Sequence, residues 1–486
     1  MGTALCKRHC AFCQHRSDGS NERTSTPKQA VSLFYANPSA LHNRHVTLYN
    51  YKPRISKDLL VKEGEEIEIL SREGEWALVQ KVEEGDEENQ VKQGYVPSSF
   101  VAEIGSLAAA RWFFGSMIHV DVKRCLLRAE NQNGSFLVWQ NKEMNDSYFL
   151  SVRYGDMVKH YEIKDEANFQ NLSRLINNHS NEAGYLCTRL TEPCVKLDRP
   201  SISTLARVAE WEIQYSSLQK GDLIGQGQFG EVWKGIWNGT TEVAIKELKG
   251  VDSKLKKEFL EEAEIMKQLH HERLIKLLAV CTDSEPFCIV TELMTKGNLH
   301  KYLKSHSEIR NLEISLLNGF AIQIAEGMAY LEERCCVHRD LRTENVLLTE
   351  MLCCKISDFG LARLLKSDRY SISYDAKVPI KWMAPEIFHD QSYTTKSDVW
   401  SFGVLLTEII TYGGVPFPDK KSHEFVNDLM DEVTISPPVD FPDDLRDIVL
   451  QCWNHSSEKR PTFEELQTML MNCTPMLKTV ELLSLT

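Results

Sequence analysis

Four short runs near the start of the chain, 46–51, 67–71, 76–82 and 94–96, pair apolar side chains with strand-forming residues, and polar turns separate them. Strands that short predict a small β-barrel over 46–104. The rhythm then changes. Residues 120–128 and 168–179 read as helices and 135–139, 148–154 and 158–163 as strands, an α+β unit over 111–195. Residues 196–217, with Pro193 and Pro200 nearby, read as a linker. Farther on, 231–236 is strand-like, 254–269 sets Phe259, Ala263 and Met266 along one side of a helix, and 316–332 is a second helical run.

The length, 486 residues, suits three or four domains. The net charge of −13 argues against a general nucleic-acid binder, whose footprint is basic. Part of that charge is the run Glu83, Glu84, Asp86, Glu87 and Glu88, read as a solvated loop. No uninterrupted apolar stretch reaches the ~18–20 residues of a membrane span. Lys7, Arg8 and His9 precede no apolar core, so no secretory signal is expected. The 14 cysteines are therefore expected as thiols. The adjacent pairs Cys335-Cys336 and Cys353-Cys354 read as small buried apolar residues.

The first 45 residues read as a tail, rich in Ser, Thr, Asn and Pro from 17 to 43 and expected to be disordered. Gly2 fits myristoylation, although Cys6 stands where that pattern wants Ser or Thr. Cys6, Cys10 and Cys13 suit palmitate, and they or Lys7 and Arg8 supply the second signal that stable anchoring needs. Lipidation at Gly2 and Cys6 predicts a cytoplasmic protein at the periphery of the plasma membrane. Zinc binding by Cys6, His9, Cys10, Cys13 and His15 is a rival reading, and inert thiols a third.

The chemistry concentrates beyond residue 218. Gly225-Gln226-Gly227-Gln228-Phe229-Gly230 lets backbone N–H groups approach phosphates. That spacing also fits a dinucleotide turn, but such a turn opens a helix at once and here a strand follows. Val243-Ala244-Ile245-Lys246 then offers a lysine to phosphates. In His338-Arg339-Asp340-Leu341-Arg342-Thr343-Glu344-Asn345, Asp340 is placed to accept a hydroxyl proton and Asn345 to hold a metal ion. Asp358-Phe359-Gly360 adds a second metal carboxylate.

In that order these motifs resemble the protein-kinase set. The resemblance implies a bilobal α+β domain over 218–475 that uses ATP with Mg2+ (or Mn2+). Gly225, Gln226, Gly227, Gly230 and Val232 would cover the nucleotide, with Ala244, Thr291 and Met294 around the adenine. Lys246 would contact the α- and β-phosphates and pair with Glu262, which the register FLEEAE selects. Asp340, Arg342 and Asn345 are the implied catalytic residues, and Asn345 and Asp358 the metal ligands. Arg342 stands where serine/threonine kinases carry lysine. Residues 379–382 before Ala384-Pro385-Glu386 look like the substrate shelf of tyrosine kinases, so tyrosine is the expected acceptor. Thr343-Glu344 departs from the Ala-Ala of that pattern. Tyr370 and Tyr374 are the expected autophosphorylation sites, with Arg339 and Arg363 as phosphate partners for Tyr370, and Arg460 is expected to pair with Glu386. A catalytically weak scaffold acting through its binding domains is the alternative, as is a serine/threonine kinase.

The barrel resembles the Src homology 3 domain through LYNY, GEW and GYVPSSFV. That resemblance makes Tyr49, Tyr51, Trp76, Pro97 and Phe100 a groove for proline-rich peptides, with Asp58 as partner of a ligand arginine. The unit over 111–195 resembles the Src homology 2 domain, which grips phosphotyrosine with an arginine fork. Trp139 occupies the arginine position, His119 and Glu162 occupy two other basic positions, and His160 persists. Phosphotyrosine binding is therefore not expected in the usual manner. The stretch 476–486 holds no tyrosine, and a Src-type latch needs one. Together these features place the chain among Src-related non-receptor tyrosine kinases, near the Brk/Frk/Srm branch. Protein substrates are expected as partners, and nucleic acid is not.

Overall fold

A computed structural model describes residues 44–53, 57–82, 93–141, 147–163, 168–196, 211–226, 230–248, 253–283, 285–359, 363–364, 379–390, 393–473 and 480–483. Gly2, Cys6, Gly227, Tyr370 and Tyr374 lie outside the described residues. Residues Met1–His42 form one unit and Asn43–Thr486 another, and only the second is described below.

Five strands make the barrel: β1 (Arg44–Thr47), β2 (Glu66–Glu73), β3 (Trp76–Lys81), β4 (Gln93–Pro97) and β5 (Val101–Glu103). All neighbours are antiparallel, in the order β4-β3-β2-β1-β5. The expected first strand, 46–51, in fact ends at Thr47. There the chain leaves the sheet and Leu48 N donates to Phe100 O at 2.7 Å. Tyr51, Trp76 and Phe100 are 2–3% exposed and pack into the barrel core with Val61, Ile67 and Val79. Pro97 is buried and Tyr49 half-buried. The Tyr51 hydroxyl donates to Asp58.

The second domain contains β6 (Phe113–Met117), α1 (His119–Leu126), β7 (Phe136–Asn141), β8 (Ser147–Tyr154), β9 (Met157–Ile163) and α2 (Phe169–Asn181). β7 is buried on both faces, which explains why it reads as a continuous apolar run. Side chains alternate across it: Phe136 and Val138 join Leu172, Leu175 and Ile176 of α2, whereas Leu137 and Trp139 join Val122, Cys125 and Leu126 of α1. Asn168 caps α2 by accepting from Asn171 N at 3.0 Å.

The third domain begins with β10 (Leu218–Gln226), β11 (Gly230–Trp237), β12 (Thr241–Leu248), α3 (Ser253–Met266), β13 (Leu277–Cys281) and β14 (Cys288–Glu292). Its sheet order is β10-β11-β12-β14-β13. The second lobe carries α4 (Leu299–Ser305), α5 (Ile314–Glu333), β15 (Cys336–Val337), β16 (Val346–Leu348), β17 (Cys354–Ile356) and β18 (Arg363–Leu364). It continues through α6 (Pro385–Asp390), α7 (Thr395–Ile410), α8 (Ser422–Met430), α9 (Asp443–Cys452) and α10 (Phe463–Asn472). By length and mean hydropathy, 1.2, α5 passes as a membrane span, but 67% of that window is buried, which marks the central helix of this lobe. Cys336 and Cys354 are buried as expected. Cys335 is exposed, since it closes α5 with a left-handed φ of +52° that turns it outward, and Cys353 is half-buried. A last strand, β19 (Val480–Leu483), returns to the second domain and pairs in parallel with β9.

The second domain docks on the helical lobe through α1. Ile118 and Val120 enter the same apolar cluster as Phe320 and Ile324 of α5. A Cβ at Gly319 would sit 3.4 Å from Val120 Cγ1, so the two helices meet closely there. Around this contact Lys123 pairs with Glu313 at 2.8 Å, Arg128 Nη1 donates to Glu350 O at 3.0 Å, and Gln323 Nε2 donates to Asp121 Oδ1 at 3.4 Å. At the other lobe Lys276 pairs with Glu75 of the barrel at 3.0 Å.

Candidate active site

Three strands and one helix converge on a lysine. Lys246 lies on β12, opposite Val232 of β11 and Ile289 of β14. Its Nζ donates to Glu262 of α3 at 2.7 and 3.0 Å and to Asp358 Oδ1 at 2.9 Å. Burial works to lower the lysine's pKa, but Asp358 and Glu262 outweigh it and hold the ammonium above its ordinary range. The same cation holds Asp358 below the usual carboxylate value, against the effect of burial. Asp358 adopts a left-handed φ of +63°, and its side chain is half exposed beside Lys246.

Gly225 and Gln226 end β10, and Gly230 opens β11. Gly230 has φ +153°, and a Cβ there would lie 1.7 Å from Glu247 O, so only glycine fits this crossing. Ala244 sits opposite Thr291 on β14. Met294 is buried just beyond, where the chain passes into the helical lobe.

Asp340 and Asn345 are joined across one turn. Asn345 Nδ2 donates to Asp340 O and to Asp340 Oδ2, each at 2.7 Å. Asp340 Oδ1 is buried and meets no hydrogen-bond donor among the described residues. Burial raises the Asp340 pKa, opposed by Arg342, His338 and the Asn345 bond. The loop rests on buried carboxylates. Asp398 of α7 accepts from the N–H groups of His338 and Arg339 at 2.7 and 2.9 Å, and burial pushes its pKa up to about 6. Glu408 accepts from Thr343 N at 3.1 Å, Thr343 Oγ1 at 2.8 Å and Trp382 Nε1 at 3.0 Å. Thr343, which departs from the expected small residue, thus ties the loop to α7. Glu344 pairs with Arg342, whose guanidinium lies 4.9 Å over the Trp382 ring. Of these supports, Asp398 falls in 396–403, which the resemblance marks as scaffold, whereas Glu408 lies in no motif of the sequence. Arg460 pairs with Glu386 at 2.7 and 2.8 Å, as expected.

At the arginine position of the second domain stands an indole. Trp139 is fully buried and stacks obliquely on Phe149 at 5.2 Å. Its Nε1 donates to Ser151 Oγ at 2.8 Å, and Ser151 Oγ lies 2.8 Å from His160 Nδ1. An indole N–H only donates, so the serine oxygen accepts from it, and the serine hydroxyl is left to donate to Nδ1 in the tautomer that carries its proton on Nε2. Burial, with His119 and Lys123 nearby, lowers the His160 pKa to about 4, in keeping with that relay.

Comparisons with known proteins agree with this geometry. A family model described as protein tyrosine and serine/threonine kinase matches residues 218–470, and one described as SH2 domain matches 112–181. Tyrosine-protein kinase FRK of Homo sapiens is 40% identical over 464 residues, covering 90% of this chain and 92% of that one. With a kinase model over more than half its length and such a relative along nearly all of it, the chain belongs to the Src-related non-receptor protein-tyrosine kinases of the Brk/Frk type.

Proposed function

We propose that Asp340 accepts the proton of a substrate phenol while Lys246 steadies the α- and β-phosphates of ATP. The observation that carries this reading is Asp340 Oδ1: a buried carboxylate oxygen with no donor among the described residues, on a side chain whose other oxygen Asn345 fixes. A buried acceptor without a partner is costly unless a ligand supplies one, and a hydroxyl does. The raised pKa makes it the better base. Glu262 positions Lys246, and Trp382 with Arg342 forms the wall against which a peptide would lie.

Asn345 and Asp358 fit a divalent ion. The Asn345 amide commits its nitrogen to Asp340 and turns its oxygen away, and Asp358 offers a half-exposed carboxylate. Hard oxygen donors of this kind suit Mg2+ or Mn2+. The ion supplies neutralisation of charge on the phosphoryl oxygens. Incubation of the purified chain with labelled ATP, Mg2+ and a Glu/Tyr copolymer tests the reading. Label on tyrosine is expected, whereas label on serine of a matched Glu/Ser polymer, or none on either, contradicts it.

Three finer assignments complete the proposal. Tyr370 and Tyr374 are autophosphorylation sites, to be read by mass spectrometry after incubation with ATP. The barrel reads proline-rich peptides through Tyr49, Tyr51, Trp76, Pro97 and Phe100. That assignment rests on the resemblance, and a PxxP peptide that leaves tryptophan fluorescence unchanged removes it. Gly2 carries myristate and Cys6 palmitate, which places the chain at the inner face of a membrane. Alkynyl-myristate labelling that survives Gly2→Ala contradicts that placement.

A further inference from the structure

The second domain ends its sheet at β9, and the strand on the outer edge of β9 is the chain's own tail. The order is β19-β9-β8-β7-β6, with Val480 opposite His160, Glu481 opposite Tyr161, Leu482 opposite Glu162 and Leu483 opposite Ile163. β9 is antiparallel to β8 on its inner side. Without β19, the outer N–H and C=O groups of β9 would form an exposed edge, which templates addition of another strand. On β7, the position where the resembled domain carries its phosphate-gripping arginine holds Trp139, itself bonded into Ser151 and His160. The domain therefore retains a backbone edge and lacks that arginine.

We propose that β9 of the second domain is a docking edge for an extended, unphosphorylated peptide, and that residues 480–483 occupy it as an intramolecular clasp. This rests on the reading that Trp139 closes the phosphate pocket. Strand addition draws its affinity from main-chain hydrogen bonds, so it requires no phosphate and no arginine. Four paired residues are a weak ligand in isolation. Here the ligand is tethered: residues 473–479 join β19 to the end of α10, and fully extended they reach roughly 29 Å at most. A tether that short holds the tail at an effective concentration on the order of millimolar, enough to seat a weak strand.

The clasp also closes a ring. The helical lobe leads through α10 and the tail to β9, and the same domain returns to that lobe through α1 on α5, with Lys123–Glu313 and Arg128–Glu350 at its border. Two weak attachments on one domain reinforce each other, since each holds the other within reach. A partner protein offering a longer extended segment would displace the tail and free one of the two.

The test uses the full chain. Amide exchange of the β9 segment is compared in the wild type, a Glu481→Pro/Leu482→Pro variant and a Glu481→Gln/Leu482→Ile variant. The proline pair removes two successive N–H groups of the tail strand, and the second pair keeps the backbone intact. Exchange at the β9 edge at least tenfold faster in the proline variant alone, with α5 and α10 unchanged, is expected. Equal protection in all three overturns the clasp. A chain shortened after residue 475 should in addition bind a labelled, unphosphorylated peptide of residues 478–486 at least tenfold more tightly than the full chain does. No gain on shortening again overturns the clasp. Micromolar binding of a phosphotyrosine peptide to the shortened chain overturns instead the closed-pocket reading, and so separates the two failures.

Discussion

At position 139 an indole does what a guanidinium cannot do without a counter-ion: it fills buried space and spends its one polar hydrogen on Ser151. The consequence passes to His160, whose Nδ1 lies 2.8 Å from that serine oxygen and whose burial favours the neutral ring. With its pKa near 4 in the folded domain against an ordinary 6.5, His160 binds fewer protons folded than unfolded between those values. Stability therefore rises with pH through that window and is lost on acidification, by on the order of 3 kcal/mol in all. Chemical denaturation at pH 7 and pH 5 should show the wild type losing more than His160→Gln, and equal losses contradict the relay. The loss of the arginine was legible in the sequence, as one residue replacing another in FLVW. The relay was not, because it depends on the register that sets Ser151 opposite His160. Asp340, Asn345, Lys246 and Asp358 were legible because each lies in a short motif. Asp398 and Glu408, which hold the loop from beneath, come from a helix sixty residues away.

Among the elements, α3 matters most for activity, since it brings Glu262 to Lys246. The helix was legible from its apolar side, and Glu262 only from the register of its neighbours. Lys246→Met should lower phosphoryl transfer by roughly 10²-fold or more, as loss of a preorganised charge does. It should also destabilise the domain by about 3–5 kcal/mol, because Glu262 is left buried and unpaired. Adding Glu262→Leu should restore the melting temperature while leaving transfer low. Recovery of transfer, or no recovery of stability, contradicts the pairing. Boundaries were less legible than elements. β7 runs on to Asn141 and β1 stops at Thr47, since strand ends are set by the pairing partner across the sheet.

For the whole molecule the informative feature is the contact of α1 with α5. Nothing in the local sequence pattern around Lys123, Arg128 and Glu313 tells a domain interface from a surface. The apolar centre of that contact is Val120 against the small site at Gly319. Val120→Asp buries a charge without a partner there, which opposes docking. Small-angle scattering should report a larger radius of gyration for this variant, with kinase-domain exchange protection unchanged, whereas an unchanged radius contradicts the docking. The tail strand was equally hidden. Four residues of VELL carry too little pattern to predict a strand, and the partner edge lies more than three hundred residues earlier.

The account turns on one carboxylate. Single-turnover transfer from ATP to a tyrosine peptide, measured for wild type and Asp340→Asn at saturating nucleotide, tests it most directly. The substitution keeps the shape and the Asn345 contact region but removes the base, so the transfer rate should fall about 10²–10⁴-fold with nucleotide affinity unchanged. An asparagine variant that labels tyrosine at the wild-type rate would contradict the central claim.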